Sequence, residues 1–219
     1  MATIADNLQA VRTRIGRAAR AARREPTAVT LLAVSKTHPV TRIEEARAAG
    51  QSAFGENYVQ EALHKMQSLP DLEWHLIGPL QSNKTRLVAE RFQWVHTLDR
   101  EKIGRRLSEQ RPASAPPLNL LIQVNVSGEA TKSGAAIEKI ATLARAVAPL
   151  PRLRLRGLMA IPEPGAAPGR YREVREIFER LKGEFAFDTL SMGMSDDLET
   201  AIAEGATMVR IGSAIFGAR

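Results

Sequence analysis

TLLAVSKTHPVTRIEEARAAGQSAFGEN, residues 30–57, contains one full cycle of an order that repeats to the end of the chain. Residues 30–36 (TLLAVSK) and 52–57 (SAFGEN) have the length and apolar content of buried strands. VTRIEEARAAG between them is helical, and Gly50 stands where a helix end favours a left-handed residue. Working outward, further strand-like runs occur at 73–78, 93–99, 119–126, 154–161, 188–193 and 208–216. The intervening helical patterns are residues 57–67, SNKTRLVAER, REKIGRRLSEQ, AAIEKIATLARAVAPL, YREVREIFERLKGEF and DDLETAIAEGA. Ile137, Ile140, Ala144 and Val147 mark one apolar face, and Tyr171, Val174, Ile177, Phe178 and Leu181 another. Pro149, Pro151 and Gly205 supply further stops. Residues 6–22 add a leading amphipathic helix with Leu8, Val11, Ile15 and Ala18 or Ala19 on one side.

Eight strands alternating with seven helices, preceded by one more, is the order of an α/β protein of the single (β/α)8 TIM-barrel type. An open doubly wound sheet is the competing architecture, disfavoured because no strand leads into GxGxxG and the strand spacing is nearly even. PASAPP (112–117) and EPGAAPG (163–169) read as loops within one domain covering residues 1–219.

A chain of 219 residues with 44% hydrophobic content is long enough for one sizeable core. The absence of cysteine excludes disulfides and thiolate chemistry, and His38, His64, His75 and His96 have no metal-ligand spacing, so no metal is expected. There is no long apolar run and no secretory pattern at the N-terminus, which leads us to expect a cytoplasmic protein without membrane contact. The net charge of +7 owes much to RTRIGRAARAARR, read as a solvated helix face rather than a nucleic-acid site, since no stacking platform accompanies it.

In a barrel of this type, function lies at the C-terminal strand ends. Lys36 ends the first strand, and alternation puts Leu32, Val34 and Lys36 on one face. An inward ammonium in an apolar mouth would be desolvated toward the neutral amine that a Schiff base with an aldehyde requires. The alternative is a strand-end lysine extended into solvent. The glycine- and hydroxyl-bearing loops after strands seven and eight offer Met194 and Ser195, and Gly212 and Ser213, as a phosphate site. Asp196 and Asp197 oppose an anion there and read instead as the start of the next helix, with Glu199 completing a D-x-x-E cap. Arg210, in the middle of an apolar strand, needs a partner: an ion pair with a carboxylate such as Glu56, or a ligand's ring nitrogen. An aldehyde-binding lysine, a phosphate site and a ring-nitrogen donor together describe pyridoxal 5'-phosphate.

The blocks LLAVSKTHP, FGENYVQE, WHLIGPLQSNK, QVNVSGEATKSG, RGLMAIP and LSMGMSDDLETAIAEGATMVRIGSAIFG resemble the pyridoxal phosphate homeostasis proteins, the YggS/PROSC family, from residue 31 onward. The resemblance implies a barrel like the alanine racemase N-terminal domain, with the cofactor covalently held on Lys36. It further implies phosphate contacts from Met194, Ser195, Gly212 and Ser213, Arg210 facing the pyridine nitrogen, and Asn57 beside the ring. An always-charged guanidinium opposes protonation of that nitrogen and weakens the ring as an electron sink.

Alanine racemase-like enzymes add a second domain and a tyrosine base from a partner chain, which this sequence is not expected to supply. The leading reading is therefore a carrier that maintains intracellular pyridoxal phosphate homeostasis, with no catalytic residues. It is expected to be a monomer whose partners are the cofactor and, transiently, cofactor-dependent apoenzymes. The alternative is an amino-acid racemase or related enzyme, which would need Tyr58, His75 or a water as second base. A third reading is a cofactor-free Schiff-base enzyme acting on sugar phosphates. His75 reads first as a bonded core histidine, Trp74 and Trp94 as packing, and Lys84, Thr131 and Lys132 as loop residues at the active face.

Overall fold

The computed structural model describes residues 2–127 and 133–217. Its strands are β1 (Thr30–Val34), β2 (Ala53–Glu56), β3 (Glu73–Leu76), β4 (Trp94–Leu98), β5 (Leu118–Val124), β6 (Leu153–Ala160), β7 (Thr189–Ser191) and β8 (Met208–Ile211). Its helices are α1 (Ile4–Ala21), α2 (Val40–Ala48), α3 (Val59–Ser68), α4 (Thr85–Arg91), α5 (Glu101–Gln110), α6 (Ile140–Val147), α7 (Pro168–Phe185), α8 (Leu198–Ala203) and α9 (Ser213–Phe216). The strands pair in sequential order, and β1 closes on β8 to complete a parallel barrel.

The expected helix faces are the packed ones: Leu8, Val11, Ile15 and Ala19 on α1, and Tyr171, Val174, Ile177, Phe178 and Leu181 on α7, are buried against the outside of the barrel. Gly50 and Gly205 follow their helices at φ 80° and 96°. One expected element differs. Residues 208–216 are not a single strand: β8 stops at Ile211, and Ser213–Phe216 form α9. The cause is loss of a ladder partner, because β1 pairs with β8 only as far as Ala33 opposite Ile211 and the chain then turns at Lys36 and Thr37.

The barrel interior is divided by polarity. Leu32, Ala53 and Met208 form one apolar cluster, and Trp94, Leu121 and Met159 another. Ser191, His75, His96 and Arg210 are also buried. Trp94 stacks on His75 inside the barrel, and Trp74 packs on Phe54, so both indoles are core groups. Among the described residues, no helix is long and apolar enough to cross a membrane.

Candidate functional site

At the C-terminal end of the barrel, a cavity of about 340 Å³ is lined by Lys36, Asn57, Met194, Ser195, Arg210, Gly212 and Ser213, together with Val34, His38, Ile77, Ile161, Asp196 and Gly217. All seven residues singled out in the sequence as a ligand site thus meet in one place. The volume is within the range usual for small-molecule sites, roughly 300–1,000 Å³.

Lys36 lies just beyond β1, half-buried, between two anchored neighbours. Ser35 is buried and its Oγ donates to Glu56 Oε1 at 2.6 Å. Thr37 adopts φ 68°, unfavourable for a β-branched residue, and its N–H donates to Glu61 Oε1 at 2.5 Å. Lys65 Nζ joins the two carboxylates, at 2.7 Å from Glu56 and 2.6 Å from Glu61, and also donates to Ser35 O at 2.8 Å. Burial pushes the Glu56 carboxyl above the usual carboxylate range, while the Lys65 ammonium and the Ser35 hydroxyl pull it back. Asn57 follows β2 directly, and Gly78 explains how its backbone is accommodated: a Cβ at Gly78 would come within 2.1 Å of Asn57 O.

On the adjoining wall, Ser213 Oγ donates to Ser195 Oγ at 3.1 Å, linking the segments that follow β7 and β8. Gly212 passes so close to β1 that a Cβ would meet Val34 O at 3.2 Å. Arg14 of α1 braces this wall from outside, donating to Ser195 O at 3.1 Å and to both Glu199 oxygens at 2.9 Å.

One alternative for Arg210 is set aside, and one expectation about a helix cap is corrected. Arg210 does not pair with Glu56, which Lys65 and Ser35 occupy; it donates to Ser191 Oγ and to Ala160 O, each at 2.9 Å. Burial lowers its pKa to about 10, and it remains a cation at neutral pH. Asp196 and Glu199 do not form a capping box. Asp197 is the N-cap of α8, but its carboxylate serves the preceding turn, accepting from Met194 N–H and Tyr171 Oη–H, each at 2.5 Å. Burial and then this carboxylate push the Tyr171 phenol well up. The Met194 N–H is therefore already engaged, while Asp196 stands exposed at the cavity rim.

Tyr58 is 61% exposed, and neither it nor Lys84 lines the cavity. His75 is buried with both ring nitrogens in contact, 2.9 Å from His96 and 2.8 Å from Glu73. Thr131 and Lys132 lie outside the described residues. Among the described residues, no group of three or more histidine or acidic side chains is placed to hold a metal ion.

Residues 6–219 match the family model described as alanine racemase, N-terminal domain. A pyridoxal phosphate homeostasis protein from Pseudomonas aeruginosa is 61% identical over 225 residues, covering 100% of this chain and 97% of that protein. One from Escherichia coli K12 is 57% identical over 229 residues, covering 100% and 98%. The chain belongs to the pyridoxal phosphate homeostasis protein family. PipY of Synechococcus elongatus, solved with pyridoxal phosphate bound, superposes with a TM-score of 0.84 at 35% identity, covering 98% of this chain and 100% of that one.

Within this family member, several residues around the site were not visible to the reading of motifs. His38 lines the cavity and stacks on Phe216 at 5.0 Å. The only sequence sign of the Lys65 cluster is the i, i+4 spacing of Glu61 and Lys65. Nothing local announces Ile77 or Ile161 as apolar walls of the cavity.

Proposed function

We propose that this chain binds pyridoxal 5'-phosphate in the barrel-mouth cavity and holds it covalently on Lys36. In this reading it serves cofactor homeostasis as a carrier without committed turnover. The observation that carries the reading is the convergence of an amine, a buried guanidinium and two loop hydroxyls on one cavity of about 340 Å³. The donor chemistry fits the group. Ser195, Ser213 and the close-packed Gly212 suit the phosphate, Arg210 the ring nitrogen, Asn57 the ring edge, and Ile77 and Ile161 its faces.

When bound, the cofactor supplies an aldehyde carbon for covalent attachment. Lys36 would hold that carbon through its amine nitrogen, a C=N bond replacing the aldehyde C=O as the oxygen leaves as water. The Glu56–Lys65–Glu61 cluster restricts where that amine can reach by holding the residues on both sides of it. Arg210, still protonated, opposes protonation of the ring nitrogen it faces and so favours holding over carbanion chemistry. The tyrosine and histidine that a racemase would draw on, Tyr58 and His75, are outside the cavity lining, which supports a carrier over the racemase reading. The single-domain carrier would act in the cytoplasm as a monomer, meeting cofactor-dependent apoenzymes transiently.

The test is the visible absorption spectrum of the purified protein with added pyridoxal 5'-phosphate, before and after borohydride, beside Lys36→Ala. A band that reduction fixes on a Lys36-containing peptide and that the variant lacks is expected, together with no net racemisation of amino acids. A protein that takes up no cofactor overturns the reading.

A further inference from the structure

Beneath the cavity, the barrel interior holds a continuous line of polar side chains. Arg210 Nη1 donates to Ser191 Oγ at 2.9 Å, and Ser191 Oγ lies 3.2 Å from His96 Nδ1. His96 Nε2 is 2.9 Å from His75 Nδ1, and His75 Nε2 is 2.8 Å from Glu73 Oε1. Ser191, His96 and His75 are 0% exposed. Glu73 is the first residue of β3, at the end of the barrel opposite the cavity, and its side chain is 48% exposed. The line therefore runs from the ligand-facing guanidinium through the barrel to solvent on the far face.

The chemistry of the two ends determines every proton between them. A guanidinium only donates and an ionised carboxylate only accepts. The hydrogen bond from His75, aided by the Trp94 indole and Arg156, holds the Glu73 carboxyl below its ordinary range. Burial lowers both imidazole pKa values, His96 the more strongly because His75 and Arg210 add to it. Each imidazole is then neutral and carries one proton. Glu73 can only accept, so His75 carries its proton on Nε2 and accepts at Nδ1. His96 must in turn carry its proton on Nε2 and accept at Nδ1, so the Ser191 hydroxyl donates to His96. Both lone pairs of Ser191 are left on the side of Arg210.

We infer that Glu73 is a remote positioning residue: through His75, His96 and Ser191 it fixes a hydrogen-bond chain of one polarity that orients Arg210 and carries a negative charge at its far end. The other charged groups facing the chain are Arg156, which lies over Trp94 at 4.9 Å and is paired with Asp188, and Asp197, whose charge acts on Arg210. The proton positions follow from this chain's own residues. Their consequence for a ligand rests on the proposed function, in which the ring nitrogen faces Arg210.

The experiment is nitrogen-15 NMR of the imidazoles in the full chain, for the wild type and Glu73→Gln, followed by pH titration of the visible spectrum of each after addition of pyridoxal 5'-phosphate. In the wild type, His75 and His96 are expected to remain Nε2–H tautomers from about pH 7 to 9, where burial keeps both imidazoles neutral. An amide at position 73 can accept or donate, so the variant mixes the tautomers. Loss of the negative charge moves the bound cofactor's spectral transition to lower pH, a decrease of roughly threefold to tenfold in proton affinity. A wild-type Nδ1–H tautomer at either residue overturns the inference, as does a variant whose tautomers and cofactor titration both superpose on the wild type. Wild-type tautomers as expected in a protein that takes up no cofactor leave the chain's polarity standing and remove the cofactor reading instead.

Discussion

The two walls of the cavity are built from different materials. The wall carrying Lys36 is secured by buried charge: Lys65 and Glu56, with side chains 4% and 0% exposed, are joined by Glu61 and tie down Ser35 and Thr37. The wall after β7 and β8 relies on serines, a close-packed glycine and one carboxylate, Asp197, whose oxygens are taken by Met194 N–H and Tyr171. Under the proposed function, the difference follows from what each wall would present. An amine that must reach one atom needs neighbours fixed by strong, short contacts. A surface meant for an anion must keep carboxylate charge engaged elsewhere and leave neutral donors forward.

Breaking the charged wall should have the largest effect. Lys65→Met leaves Glu56 buried without its cation, and we expect a loss of about 3–5 kcal/mol in urea unfolding, with reduced borohydride labelling of Lys36. A loss below about 1 kcal/mol would show that the cluster is not what secures this wall. The neutral wall should respond in affinity rather than stability. Ser213→Ala is expected to weaken pyridoxal phosphate binding by roughly fivefold to tenfold, or about 1–1.4 kcal/mol, with an almost unchanged unfolding midpoint. If affinity is unaltered while stability falls, the hydroxyl serves only the loop.

The smallest effect is expected from outside. Arg14 and Glu199 are 38% and 52% exposed, so solvent screening holds the contribution of their pair below about 1 kcal/mol. The Arg14 hydrogen bonds hold the Glu199 carboxyl below its ordinary range. A carboxylate depressed in the folded state stabilises above its unfolded pKa, and that contribution disappears as pH falls through the folded value. The stability difference between wild type and Arg14→Ala should therefore be present at neutral pH and vanish in acid. A difference that persists when Glu199 is protonated would assign the effect to the Ser195 carbonyl contact instead.

The alternation of strands and helices was legible because each is a local pattern; Lys36, Met194, Ser195, Gly212 and Ser213 were legible because they follow strands, Arg210 because a charge stands in an apolar strand, and Asn57 only through the family resemblance. What escaped depends on partners far apart in the chain. Lys65 meets Ser35 across 30 positions, and Arg210 meets Ala160 across 50. Periodicity could state that Arg210 needed a partner, but only closure of the barrel decides that the partners are a hydroxyl and a carbonyl. The break between β8 and α9 was hidden for a related reason. SAIF is apolar enough for a strand, and it coils because β1 has no further residues to pair with it. Asp197 likewise matched a helix-start pattern, while the Tyr171 hydroxyl that helps hold it comes from α7, 26 positions away.

The contacts of α1 set an order on the protein's biosynthesis. Asn7 donates to Ile215 O, 208 positions later, Arg14 to Ser195 O, 181 positions later, and β1 takes β8 as its neighbour. Helix α1 thus docks on residues translated 181 to 208 positions after its own, and Lys36 waits on β7 and β8 before the adjoining wall exists. A nascent chain arrested before residue 195 would display the lysine without Ser195, Arg210, Gly212 and Ser213 around it.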